Sequence, residues 1–174
     1  SNLDFNEVIK LAKTKWNFLN FRPGLVGGHC LPVDPYYFAA IAKKYNQNVK
    51  VTLAGRSINN SMVGFISKLI IKNIKNIKIK KNIKILIAGL TYKPDVPDLR
   101  NSLAIDIFNI IKKRIKNIDG FDPIINNRSR IKMKLQKNMK ISNYDRIYVL
   151  TEHNFFKKKT LIKNKKLVYV FKDL

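Results

Sequence analysis

IKILIAGLTYKPD, from Ile83 to Asp95, is the stretch that decides the fold class. Ile83 to Leu90 is a short, almost unbroken apolar run that closes on a glycine and a leucine. Such a run, without alternation, reads as a strand buried on both faces. Downstream, a helix is expected from Ser102 to Asn117, and Phe121-Asp122-Pro123 carries a turn signal. RIYVL (Arg146 to Leu150) and LVYVF (Leu167 to Phe171) repeat the buried-strand pattern. Strands alternating with helices predict a small parallel α/β sheet. Sheets of this kind take ligands beyond the carboxyl ends of their strands, and GLTYKPD occupies one such end.

Upstream, Lys78 to Asn82 reads as a basic linker that separates residues 83–174 from a helical segment, residues 1–77. A long helix is expected from Thr52 to Asn76, with apolar residues at Leu53, Ile58, Met62, Phe65, Ile66, Leu69 and Ile70. A shorter one is expected from Pro35 to Tyr45, with Asp34 as its N-cap and Pro35 in its first turn. LDFNEVIKLAKTK places Phe5, Val8, Ile9 and Leu11 as the end of an amphipathic helix would. The chain starts at Ser1 rather than a methionine, and this first helix has no upstream partner, so it reads as joined in mid-protein.

Between these helices lies RPGLVGGHCLPVDPYYF, Arg22 to Phe38, which holds the single cysteine, Cys30. Gly27 and Gly28 come just before it, and Asp34 follows four residues later. Glycines allow close approach of backbone to a ligand. A thiol past such a loop acts as a nucleophile if its surroundings favour the thiolate. The plain alternative is a small buried apolar residue.

Composition narrows the classes. In 174 residues, 45% hydrophobic content supports a packed core rather than disorder. No run reaches the roughly 18 apolar residues of a membrane span. No signal-peptide pattern opens the chain, and one cysteine permits neither an internal disulfide nor a zinc site. A reducing, cytoplasmic setting is expected. The net charge of +24 would ordinarily suggest nucleic acid. It is mostly lysine and scattered, however, and lysine, isoleucine and asparagine make up about two-fifths of the chain. Their shared use of codons built from A and T explains that bias without a partner. KNIKNIKIKKNIK (Lys72 to Lys84) also lacks the interleaved aromatics of single-strand-binding surfaces. No specific nucleic-acid partner and no membrane are expected.

GLVGGHCLPVDPYY (Gly24 to Tyr37) closely resembles the catalytic-cysteine loop of the UDP-glucose/GDP-mannose dehydrogenase family. GLTYKPDVPDLRNS (Gly89 to Ser102) resembles that family's signature in its nucleotide-sugar-binding domain. The two stand in the family's order, about sixty residues apart, and the resemblance runs from Phe5 to Phe155. The H-C-x-P-V-D-P and P-D-L-R-N forms look most like the branch acting on UDP-N-acetylhexosamines.

The resemblance implies an α/β protein: a helical central dimerisation segment, residues 1–77, followed by a small Rossmann-like UDP-sugar-binding domain, residues 83–174. It implies oxidation of a sugar C6 alcohol to a carboxylate for polysaccharide biosynthesis, with NAD as cofactor and a homodimer as the assembly. Cys30 would attack the intermediate aldehyde, and the resulting thiohemiacetal would be oxidised to a thioester that water hydrolyses. Asp34 would position that water, or simply cap its helix. Phe18, Leu19, Gly24, Gly27 and Gly28 fall in the loop that wraps the sugar nucleotide, although glycines serve a plain turn equally well. Lys93 and Arg100 match the family's contacts to the nucleotide sugar. Tyr92 sits where relatives carry an aromatic, with a core role as the alternative. His29 reads as loop-shaping and His153 as structural.

Departures accompany the match. The dinucleotide-binding half is missing, with no G-x-G-x-x-G in the chain, and so are the family's catalytic lysine and asparagine. FKDL ends short of the usual D-x-R-N-like strand end, and Ile118 to Asp122 leaves little room for a strand. The expectation is the C-terminal portion of a dehydrogenase, inactive alone and completed by an NAD-binding half in the same or a separate chain. An inactive remnant that folds, dimerises and binds UDP-sugar is the alternative, with a basic nucleic-acid-binding protein the third.

Overall fold

A computed structural model describes residues 3–20, 24–76, 83–125, 135–136 and 138–173; the expected linker, Lys78 to Asn82, lies outside them. Three helices come first: α1 (Phe5–Ala12), α2 (Asp34–Lys44) and α3 (Lys50–Asn76). The sheet region follows, with β1 (Ile85–Ala88), α4 (Leu103–Lys112), β2 (Ile118–Phe121), β3 (Arg146–Val149) and β4 (Leu167–Tyr169). The four strands are all parallel, in the order β2-β1-β3-β4. The protein is thus α/β, a helical segment followed by a small Rossmann-like sheet.

Every residue of β1 is fully buried because both faces are covered. Successive strand residues point to opposite faces, so Ile85 and Ile87 meet one apolar cluster while Leu86 and Ala88 meet another. The first cluster joins the sheet to Ile107, Phe108 and Ile111 of α4 and to Ile66, Ile70 and Ile74 of α3. The second lies under Tyr144, Phe156 and Leu161. Tyr148 of β3 also donates its hydroxyl hydrogen to Asn73 of α3 at 2.8 Å, so the C-terminal half of α3 belongs to the sheet's core.

Three expectations change. Ile118 to Asp122 does accommodate a strand, because the parallel register needs only Ile118 to Phe121 opposite Ile85 to Ala88. The preceding helix stops at Lys112 rather than Asn117, since the Asn117 carbonyl already accepts from the Ile85 amide at 3.1 Å. Asp34 is not the N-cap of α2. Val33 takes that position without a side-chain cap, and the Cys30 carbonyl accepts the Val33 and Asp34 amides at 2.9 Å each. Pro35 does fall in the first turn.

Candidate functional site

The turn after β1 is built from buried polar groups. Gly89 has a φ of +72°, and a Cβ there would overlap the Thr151 carbonyl, so only glycine lets the ends of β1 and β3 approach this closely. At the end of β2, Asp122 Oδ2 accepts the Leu90 and Thr91 amides at 2.7 and 3.1 Å, and Oδ1 accepts that of Ile124 at 3.1 Å. His153, fully buried, accepts the Asp95 amide on Nδ1 at 2.8 Å. That bond leaves the imidazole proton on Nε2, 3.2 Å from Asp122 Oδ2 and 3.1 Å from the Thr91 hydroxyl. Burial acts to raise the Asp122 pKa, but the His153 imidazole and the Ile124 and Leu90 amides outweigh it and hold the carboxyl below its ordinary value. His153 is structural, as the sequence suggested.

Further bonds clamp the same loop. Ser102 donates to the Leu90 carbonyl at 2.6 Å, Thr151 to the Thr91 carbonyl at 2.7 Å, and Thr91 to the Lys93 carbonyl at 3.1 Å. A backbone fixed this way presents its side chains outward. Lys93 and Arg100 are exposed and Tyr92 is half-buried.

The cysteine loop docks on this platform. The Asn101 side-chain amide donates to the Gly28 carbonyl at 2.9 Å. A Cβ on Gly27 would lie 2.5 Å from the Asn101 carbonyl, and one on Gly28 would press on the Tyr92 ring at 2.8 Å. Gly28 also has a φ of +93°, so both close approach and backbone shape require glycine. His29 Nε2 lies 3.1 Å from Asp98 Oδ2, with its ring edge-on to Tyr92 at 6.0 Å. On the other side, the Asn59 side chain of α3 accepts the Val26 amide at 3.3 Å and donates to its carbonyl at 3.0 Å. Cys30 is a free, exposed thiol at the tip, and Asp34, also exposed, opens α2.

The structure therefore gathers Gly27, Gly28, Tyr92 and Arg100 around the Cys30 loop, with Lys93 on the same platform. Gly24 is different, since a Cβ there meets nothing within 4 Å and sterics do not demand glycine. Phe18 and Leu19 follow α1, and no hydrogen bond among the described residues joins them to these loops. Sequence reasoning missed Asp98, Asn101 and Asp122. Asp98 and Asn101 stand inside the quoted P-D-L-R-N stretch, but their partners lie 69 and 73 residues away.

A dinucleotide does not fit the turn after β1. The Leu90 and Thr91 amides, which would have to face a pyrophosphate, are taken by Asp122. Among the described residues, no cluster of three or more His, Cys, Asp or Glu is arranged to hold a metal, and no helix is long and apolar enough to cross a membrane.

Two family models match the chain. The UDP-glucose/GDP-mannose dehydrogenase family central domain matches residues 1–61, and the same family's UDP binding domain matches residues 86–172. A UDP-N-acetyl-D-glucosamine 6-dehydrogenase of Salmonella typhi is 38% identical over 164 residues, covering 90% of this chain and 38% of that protein. Protein CapL of Staphylococcus aureus is 43% identical over 118 residues, covering 67% of this chain and 28% of its own. The solved UDP-D-ManNAc dehydrogenase of Pyrococcus horikoshii superposes with a TM-score of 0.73 at 28% identity, over 96% of this chain and 39% of that one. The chain spans well under half the length of each.

Proposed function

Since this chain belongs to the UDP-glucose/GDP-mannose dehydrogenase family, we propose that it is the cysteine-bearing, sugar-nucleotide-binding portion of a UDP-N-acetylhexosamine 6-dehydrogenase. The observation that carries this reading is the docking of the Cys30 loop on the loop that presents Arg100, through Asn101–Gly28 and His29–Asp98. On this reading the contact sets the Cys30 thiol, as nucleophile, and the Arg100 guanidinium, as anion binder, on adjoining loops.

Arg100 and Lys93 hold the anionic part of the nucleotide, the first by its planar fork and the second as a point charge. Tyr92 lies beneath the glycine pair, and the amides of Gly27 and Gly28 line the sugar side. The Cys30 thiolate adds to the C6 aldehyde carbon, and the carbonyl oxygen takes up a proton, giving a thiohemiacetal. Once that carbon has been oxidised, water attacks the thioester, releasing the carboxylate and regenerating the thiol, with Asp34 orienting the water. The family's hydride acceptor, NAD, does not fit the turn after β1, and on this reading the oxidation steps rely on a dinucleotide-binding half supplied in the same chain or by another. Proximity of reactants contributes up to roughly 7–11 kcal/mol of barrier reduction. Without the acceptor that contribution is lost, so the 174 residues alone are expected not to reduce NAD.

The exposed apolar side of α3, with Val51 87% and Ile58 66% accessible, supports pairing with a second copy. The setting is cytoplasmic. Calorimetry with UDP tests the binding site: wild-type chain binds and Arg100→Ala does not. Absence of UDP binding by the wild type overturns the reading. NADH formation by the isolated chain with a UDP-N-acetylhexosamine, lost in Cys30→Ser, would overturn the expected inactivity.

A further inference from the structure

A single carboxylate, that of Asp98, serves both halves of the site. Its Oδ1 and Oδ2 accept from Arg100 Nε at 3.1 and 3.0 Å, and Oδ2 accepts from Nη2 at 2.7 Å. Oδ1 also accepts the Arg100 backbone amide at 2.9 Å. The same Oδ2 lies 3.1 Å from His29 Nε2, across from the cysteine loop. The Asp98 side chain is only 16% exposed, against 69% for Arg100 and 48% for His29. The Arg100 hydrogen bonds, working against partial burial, hold the Asp98 carboxyl well below the usual carboxylate range, so it is an anion throughout the physiological range.

The geometry sorts the five guanidinium hydrogens. Asp98 takes the Nε edge and one side of Nη2, which leaves the Nη1 edge of an exposed side chain open to an anion. On its other side the carboxylate meets the imidazole of His29, which lies edge-on to the Tyr92 ring and precedes Cys30 in the chain. A shared acceptor transmits change, because a guanidinium drawn toward a bound anion alters what the carboxylate offers to the imidazole.

Resting on the sugar-nucleotide reading above, we propose that Asp98 is a positioning residue: it aims the outer edge of Arg100 at the nucleotide's phosphates and couples that contact to His29, beside Cys30. It touches neither the reacting carbon nor the sulfur. Its effect passes through two side chains that it holds at once.

The test uses this chain with UDP as the probe. Charge-assisted bonds are about twice as strong as neutral ones, so Asp98→Asn is expected to weaken UDP affinity about tenfold and Asp98→Glu to recover much of it. The docking bond from Asn101 to Gly28 remains in both variants, so the loop has a second anchor. The chain has two histidines, which makes the NMR signature simple, with buried His153 as the internal control. Saturating UDP moves the His29 imidazole resonance in wild type and leaves it in place in Asp98→Asn brought to the same saturation. Unchanged UDP affinity in Asp98→Asn, or an equal His29 shift in both proteins, overturns the proposal. If wild-type chain does not bind UDP, the nucleotide reading falls, and the coupling is then read without ligand. Arg100→Gln moves the His29 resonance in the wild-type background but not beside Asp98→Asn. Equal movement in the two backgrounds overturns it.

Discussion

The two ends of α3 make different use of the same kind of residue. At the C-terminal end Ile66, Ile70 and Ile74 are buried against the sheet, and Ile70 is fully inaccessible. At the N-terminal end Val51 is 87% and Ile58 66% exposed. The contrast extends through the chain: β1 is buried on all four residues, whereas the helical segment leaves Leu11, Trp16, Tyr37 and Phe38 open. An apolar stripe specifies that something must cover it, and only the sheet side finds that cover within the described residues.

The sharpest break in this comparison comes from truncating one residue at each end. Ile70→Ala removes a fully packed side chain, so about 2–5 kcal/mol of stability is expected to vanish in urea titrations. In chain diluted to the monomer, Ile58→Ala should change it by less than about 0.5 kcal/mol, as surface substitutions do. Equal losses at both sites would mean that the N-terminal end is covered in solution.

Next comes the buried polar network under the loop. Asp122→Asn leaves the Leu90 and Thr91 amides short of a charged acceptor, for an expected loss of about 2 kcal/mol. Its sign with pH follows from the lowered native pKa. The carboxylate's contribution is fully present above the unfolded value of about 3.9 and disappears as pH falls through the lower native one. Wild type should lose stability on acidification over that window, and Asp122→Asn should show a flatter profile in denaturant melts between neutral and acid pH.

A smaller effect separates the glycines of the cysteine loop. Gly28→Ala meets both a positive φ and the Tyr92 ring, so about 1–3 kcal/mol of strain is expected, read as a lower melting temperature and weaker UDP binding. Gly24→Ala, with open space around it, should match wild type in both. The smallest effect on folding belongs to Ile58→Asp. Urea midpoints of the diluted, monomeric chain should hold, while at higher concentration sedimentation should shift from dimer to monomer if α3 pairs across a second copy.

Much of this was legible in residue patterns. The three apolar strands around Ile85, Ile147 and Val168 were readable because burial on both faces forces continuous apolar runs. The strand at Ile118 was missed because Asp119 and Gly120 interrupt that pattern, and its pairing comes from register with β1 rather than from its own composition. The cysteine loop and the Arg100 loop were both visible as motifs. What held them together was not, because the acceptor for each contact sits on the other motif.

By itself, the sequence determined that a parallel sheet would form, that a lone thiol would follow two adjacent glycines, and that Lys93 and Arg100 would stand in the motif after the first strand. Only the tertiary structure decided that Gly27 and Gly28 are needed for contact with Asn101 and Tyr92 while Gly24 is not. It also decided that Asp98 faces both His29 and Arg100, and that Asp122 is spent on the loop backbone. The reason is physical: periodicity and composition report how each residue meets water or a core. A hydrogen bond between residues 69 apart exists only once the chain has closed that distance.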